Sequence, residues 1–192
     1  MKKTKIDRDY FLNYAGSKKP YDKVYNDHSY AAECIELFQQ EEAPKLNRIC
    51  VLGTATGKVL EDFQKAFAIY PYGCEINNWA WDQIRPKLKA RIRNLDMREY
   101  VPMMLERKFQ CDLVFSNSFI YLDESDLDPL FKQLSHMTKY IHFSSSFLGD
   151  ACPDPYRKLL KSLAWWEDKL EKFGFTHRRT IFGKPSYLWS LK

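Results

Sequence analysis

Apolar residues along the chain fall at two spacings, and the two alternate. Tyr30, Ala31, Cys34, Ile35 and Phe38 recur at helical intervals, so they share one face of a helix that Asp27 is placed to cap. RICVL (48–52) is a short apolar run of strand length that stops at Gly53. Helical spacing returns at Val59, Leu60, Phe63 and Phe67. AIYPYGCEI (68–76) reads as a second strand with Pro71 near its start, and Asn78 as the cap of a helix over 79–85 that Pro86 stops or kinks. ARIRNLD (90–96) alternates with period two, as a strand does. DLVFSNSFIYL (112–122) opens with a fourth strand, 127–136 is helical, and KYIHFSSSF (139–147) is a fifth strand. Leu159, Leu160, Leu163, Trp166 and Leu170 predict a long amphipathic helix over 155–173. FTHRRTIFG and SYLWSLK, joined at Gly183-Lys184-Pro185, predict a closing hairpin.

Strands separated by helices imply right-handed crossovers and a parallel sheet, and a terminal hairpin adds one antiparallel strand to it. The expectation is a doubly wound α/β fold whose seven-stranded sheet is mostly parallel. At 192 residues and 22.9 kDa the chain has room for one ordinary domain. A helical cap segment over 1–44 would precede an α/β domain over 45–192. With 45% hydrophobic and 29% charged residues, disorder, a fibrous repeat and a coiled coil are excluded. No apolar run approaches a membrane span, and the basic start MKKTKIDRDYFLNY lacks the apolar stretch of a signal peptide. Cys34, Cys50, Cys74, Cys111 and Cys152 are odd in number and form no CxxC. They read as buried free thiols in a reducing compartment, with the cytoplasm expected and no metal site.

The net charge of +5 is uneven. Residues 1–20 carry six basic and two acidic groups and 151–192 carry nine and four, whereas 21–150 hold fifteen basic against nineteen acidic. Basic ends serve solubility or an acidic partner.

Ligands of open parallel sheets bind beyond the carboxyl ends of the strands, where strand order reverses. The loop after the first strand, Gly53-Thr54-Ala55-Thr56-Gly57, lets backbone approach a ligand at a helix start. It is neither GxGxxG nor a Gly-Lys-Ser/Thr phosphate loop, which disfavours a pyrophosphate and a nicotinamide oxidoreductase. Glu75 ends the second strand 22 positions after Gly53, where a carboxylate can accept bonds from ribose hydroxyls. Asp96 ends the third strand as either an acceptor for an adenine amine, with Met97 on the base, or the cap of a helix over 97–106. Ser116-Asn117-Ser118-Phe119 follows the fourth strand with small polar residues able to hold an ammonium group.

In this order the loops resemble those of class I S-adenosylmethionine-dependent methyltransferases, of the compact kind close to the type 11 group. The resemblance covers roughly 45–192 and rests on VLGTATG, CEINNWA, NLDMREY, DLVFSNSFIYL and the sixth strand, hairpin and seventh strand. Val51 stands where that family has an acidic residue, and Ala55 replaces its middle glycine. The resemblance implies S-adenosylmethionine as cofactor. Gly53, Thr54, Ala55 and Gly57 would line its methionine part, Glu75 would hold the ribose, and Ile76, Met97 and Asp96 would receive the adenine. Ser116 and Ser118 would lie near the amino and carboxyl groups. Trp79 and Trp81 are base-stacking partners or core.

Methyl transfer needs positioning and desolvation, and a base only where the nucleophile carries a proton. Asp150 and His142 are the candidate bases, His142 having a packed strand position as its alternative. No Asn-Pro-Pro-Tyr-type motif is present, since the site reads Asn117-Ser118-Phe119-Ile120. A small-molecule acceptor is therefore expected. A nucleic-acid or protein acceptor, or a cofactor-binding protein without catalysis, is the alternative. Tyr21, Tyr25 and Phe119 are expected to face the acceptor, Tyr21 and Tyr25 lying in a segment that also holds Tyr10, Tyr14 and Tyr30. A monomer or homodimer with no membrane partner is expected.

Overall fold

A computed structural model describes residues 6–13, 20–24, 29–38, 45–144, 154, 156–181 and 186–192. The strands are β1 (Ile49–Leu52), β2 (Tyr72–Cys74), β3 (Ile92–Arg93), β4 (Cys111–Ser116), β5 (Thr138–Ser144), β6 (Phe175–Thr180) and β7 (Ser186–Leu191). They form one sheet in the order β3-β2-β1-β4-β5-β7-β6. β1 pairs in parallel with both β2 and β4, β2 with β3, and β4 with β5. β7 runs antiparallel between β5 and β6, so the closing hairpin supplies the reversed strand that its sequence predicts. Strand order reverses between β1 and β4, which places the switch point beyond Leu52 and Ser116.

The period-two pattern of the strands divides the core into two faces. Cys50, Leu52, Val114, Ile141, Phe143 and Trp189 pack on one side with α7 (Met97–Glu106), α8 (Glu124–Met137) and α9 (Leu163–Glu171). Ile49, Val51, Leu113, Phe115, Tyr140 and Leu188 pack on the other. There they meet α3 (Tyr30–Phe38), α4 (Lys58–Phe67) and the pair α5 (Asn78–Gln83) and α6 (Pro86–Lys89). Two short helices precede these, α1 (Arg8–Leu12) and α2 (Tyr21–Val24). Among the described residues no helix is long and apolar enough to cross a membrane.

Several local expectations shift. Asn77 rather than Asn78 caps α5, its Oδ1 accepting from the Ala80 amide at 2.8 Å. Pro86 both ends that helix and begins α6 at a position where no amide is needed. The start of α3 is held by Ser29, whose Oγ accepts from the Ala32 amide, and by Asp62, which accepts from the Ala31 amide at 2.7 Å; Asp27 lies outside the described residues. The helix expected over 155–173 is confined to α9. Residues 157–162 are not helical, because the Lys158 and Leu159 amides bond the Ile120 carbonyl at 2.7 and 3.0 Å and Ser162 then caps α9. The described cysteines, Cys34, Cys50, Cys74 and Cys111, are buried free thiols, and burial pushes Cys111 up to about 12; Cys152 lies outside the described residues.

Candidate functional site

The loop between β1 and α4 is built on left-handed backbone. Gly53, Ala55 and Gly57 have φ of 81, 48 and 93°. Gly53 is compelled by space as well: a Cβ there would lie 2.2 Å from Ser118 Oγ. The loops after β1 and β4 therefore touch at the switch point. The Gly53 and Thr54 amides both donate to the Cys74 carbonyl, which leans the loop on β2. Thr54 is wholly buried and its Oγ1 has no hydrogen-bond partner.

Glu75 lies beside this loop and is 6% exposed. Its Oε2 accepts from the Ala55 amide at 2.7 Å and its Oε1 from the Asn77 amide at 2.8 Å. Among the described residues it forms no ion pair. Burial raises its pKa above the ordinary carboxylate value, against the opposing pull of the bonds from Asn77, Ala55 and Ile76. Ile76, the next residue, is 62% exposed, a large apolar side chain facing solvent beside a buried carboxylate.

Of its two expected places, Asp96 takes that of the cap of α7. Its Oδ1 accepts from the Arg98 amide at 2.8 Å, and Arg98 closes a two-point pair on the carboxylate. Burial alone would raise this carboxyl, but the Arg98 side chain overrides that and holds it below the usual range. Met97 is buried under the sheet. Ser116 is wholly buried, its hydroxyl donating to the Leu52 carbonyl at 2.9 Å and accepting from the Ser118 amide at 3.0 Å. It thus ties β4 to β1 rather than facing the cleft, while Ser118 carries the hydroxyl that meets Gly53.

Phe119, expected to face the acceptor, and His142, the candidate base with a packed strand position as its alternative, are both buried. Phe119 is 1% exposed, its ring packed against Phe131 and Phe143, because the 3-10 turn Phe119–Tyr121 directs it into the core. His142 is wholly buried in β5, edge-on to Phe115 and with Nε2 2.7 Å from Ser186 Oγ. Asp150 and Tyr25 lie outside the described residues. Tyr21 is half-buried and meets Phe11 edge-on at 5.6 Å, and Trp79 lies tilted against the same Phe11 ring with centroids 5.7 Å apart. Trp81 lies against the core with the Lys89 ammonium 3.5 Å above its ring.

A buried polar cluster that the sequence did not single out joins α1 to the turn after β4 and the segment after β5. Asp154 is 5% exposed, and its Oδ2 accepts from Tyr10 at 2.9 Å and from Tyr121 at 2.7 Å. The Tyr156 amide donates to its Oδ1, and Arg157 stands 3.8 Å away. The only local hint is a carboxylate set between two prolines, in Pro153-Asp154-Pro155. Among the described residues no group of His, Cys, Asp and Glu is arranged to hold a metal ion.

No family model and no curated protein matches the chain by sequence. Solved structures match it by shape. Streptomyces venezuelae DesVI aligns with a TM-score of 0.69 at 16% identity, over 90% of this chain and 97% of that one. The magnesium protoporphyrin IX methyltransferase of Synechocystis PCC 6803, solved with bound SAH, aligns with a TM-score of 0.63 at 15% identity, over 95% of both chains. The mitomycin 7-O-methyltransferase MmcR aligns with a TM-score of 0.58 at 14% identity, over 82% of this chain; the present chain spans 53% of that protein. At these identities the likeness is one of fold, and that fold is the one the loop order implied, that of class I S-adenosylmethionine-dependent methyltransferases.

Proposed function

We propose that the protein binds S-adenosylmethionine in the crevice between β1 and β4 and transfers its methyl group to a small-molecule acceptor. The observation that carries this is Glu75: a buried carboxylate with no ion pair among the described residues, held by loop amides beside a left-handed glycine turn and next to an exposed Ile76. A carboxylate offers about four acceptor sites. The Ala55 and Asn77 amides use two of them, which leaves capacity for a ribose hydroxyl. Ile76 supplies the apolar face for the adenine, and Leu95, next to the Asp96 cap of α7, bonds the Glu75 carbonyl through its amide at 3.1 Å. The backbone at Gly53 and Ala55, with the Ser118 hydroxyl, borders the methionine end. The bound cofactor would supply an electrophilic methyl on a sulfonium; these residues orient it and exclude water.

The chain lacks a motif for exocyclic amine acceptors, which favours a small molecule. Asp150 remains the proposed base for an acceptor that must lose a proton. Calorimetry with S-adenosylhomocysteine tests the cofactor site, and transfer of labelled methyl to a fractionated cell extract tests the reaction. Label in the small-molecule fraction is the expected result. Label in RNA or protein would reassign the acceptor, binding without transfer would leave a cofactor-binding protein, and absence of binding would overturn the proposal.

A further inference from the structure

Tyr30, the first residue of α3, is fixed from both sides. Ser29 Oγ donates to Asp62 Oδ1 at 2.9 Å and the Ala31 amide donates to Asp62 Oδ2 at 2.7 Å. One carboxylate of α4 thus grips the residue before Tyr30 and the residue after it. The Tyr30 ring is 7% exposed and packs on Phe115 of β4, with centroids 4.9 Å apart. Its hydroxyl accepts from Asn117 Nδ2 at 3.2 Å, and Asn117 Oδ1 accepts in turn from Ser118 Oγ at 3.3 Å. Ser118 Oγ is the atom that stands against Gly53. The contacts close a circuit from the glycine loop through α4, Asp62, Tyr30, Asn117 and Ser118 back to the glycine loop.

The course of the turn after β4 is secured separately. The Ser118 amide bonds Ser116 Oγ, and the Tyr121 amide bonds the Ser118 carbonyl at 3.1 Å. The chain from Tyr30 therefore sets the direction of a side chain, not the path of the backbone. An amide group is nearly two-fold in shape, and its hydrogen-bond partners decide which end points where. With Nδ2 turned to Tyr30, Asn117 offers its oxygen to Ser118, and the Ser118 hydroxyl spends its single proton there. What remains on Ser118 Oγ is lone pairs, which accept from a cation such as an ammonium group. We propose that Tyr30 is a positioning residue for the amino-acid end of the ligand, acting through Asn117 to hold Ser118 Oγ at Gly53 as an acceptor. The identity of that ligand rests on the cofactor site proposed above; the chain of hydrogen bonds does not.

Calorimetry on the full-length protein compares S-adenosylhomocysteine with methylthioadenosine, which carries the same nucleoside without the amino-acid end. Tyr30→Phe keeps the ring on Phe115 and removes the hydroxyl. It should weaken S-adenosylhomocysteine about three- to tenfold, the effect of one hydrogen bond, and leave methylthioadenosine within about twofold. Asn117→Ala should do the same. The double variant should bind S-adenosylhomocysteine no more than about twofold worse than the weaker single, because both substitutions break one chain. A phenol that serves packing alone would weaken both ligands alike or neither. Either of those results, or additive losses in the double variant, overturns the proposal. The side-chain amide protons of Asn117 report on the same chain without ligand, and in Tyr30→Phe they should exchange with water at least about fivefold faster. Unchanged exchange shows that Tyr30 does not hold Asn117 and overturns the positioning. If the wild type binds neither nucleoside, the cofactor reading fails and the ligand end of this proposal with it, while the Asn117 protons still decide the chain from Tyr30 to Ser118.

Discussion

Glu75 holds a charge where little water reaches it, and its two relations to protons run in opposite directions. Burial raises its pKa, so the folded protein binds that proton more tightly than the unfolded chain. By linkage its contribution to stability is full below the unfolded value of about 4.3 and is lost as pH rises through the raised folded value. Ligand affinity follows the opposite course, because protonation removes acceptor sites from the ribose. S-adenosylhomocysteine affinity should therefore weaken on acidification from a pH above the ordinary carboxylate range, as calorimetry between about pH 5 and 8 would show. Glu75→Gln should flatten that dependence, and Glu75→Ala should cost about 1.5–3 kcal/mol of binding at neutral pH. Gly53 gives a steric counterpart. In Gly53→Ala the new Cβ meets Ser118 Oγ at 2.2 Å on backbone with φ of 81°. Denaturant unfolding should show a loss of about 1–3 kcal/mol, with ligand binding abolished. Adding Ser118→Gly should return the steric share of that loss and leave the conformational one.

At the scale of elements, α7 shows how one carboxylate serves a helix. Asp96 accepts from the Arg98 amide and pairs with its side chain, so Asp96→Ala should destabilise the fold by about 0.5–2 kcal/mol in urea unfolding. Its pKa is depressed, so the stability it adds is present above the unfolded value and is lost as pH falls through the folded one. Arg98 is 47% exposed, and solvent screening keeps the pair's own share to the lower part of that range. The strands were legible as short apolar runs bounded by glycine or polar residues, β1 and β4 above all, or by alternation around β3, and the glycine turn because Gly53 and Gly57 mark left-handed backbone. Ala55 adopts φ of 48° without advertising it. The helix predicted over 155–173 is shorter in the fold for a related reason. Leu159 and Leu160 fit a helical spacing, yet the amides of Lys158 and Leu159 are claimed by Ile120, some forty residues earlier, which no local window contains. The cluster of Tyr10, Tyr121 and Asp154 was invisible on the same ground, since its members lie 111 and 144 positions from Tyr10 in sequence. His142 and Phe119 carried side chains suited to chemistry, but their strand and turn register aim them into the two packed faces.

For the whole molecule, the excess of positive charge resides near both chain ends, while the stretch that builds the crevice is net acidic. A protein using those ends to grip phosphates would lose log K by about 0.7–0.9 per contact against log salt. We expect no submicromolar binding of tRNA or DNA near 0.15 M salt, roughly an 8 Å Debye length, in an anisotropy titration; tight, salt-steep binding would promote the nucleic-acid acceptor. The position of β7 has a consequence for how the chain is made. Because β7 lies between β5 and β6, β6 leaves the ribosome first yet has no seat in the sheet until β7 follows. During that interval a nascent chain presents β5, with Tyr140, Ile141 and Phe143 along it, as an open edge to any passing strand. Translational stalling before residue 186 would thus leave the β5 edge open at the place that Leu188 and Trp189 later take.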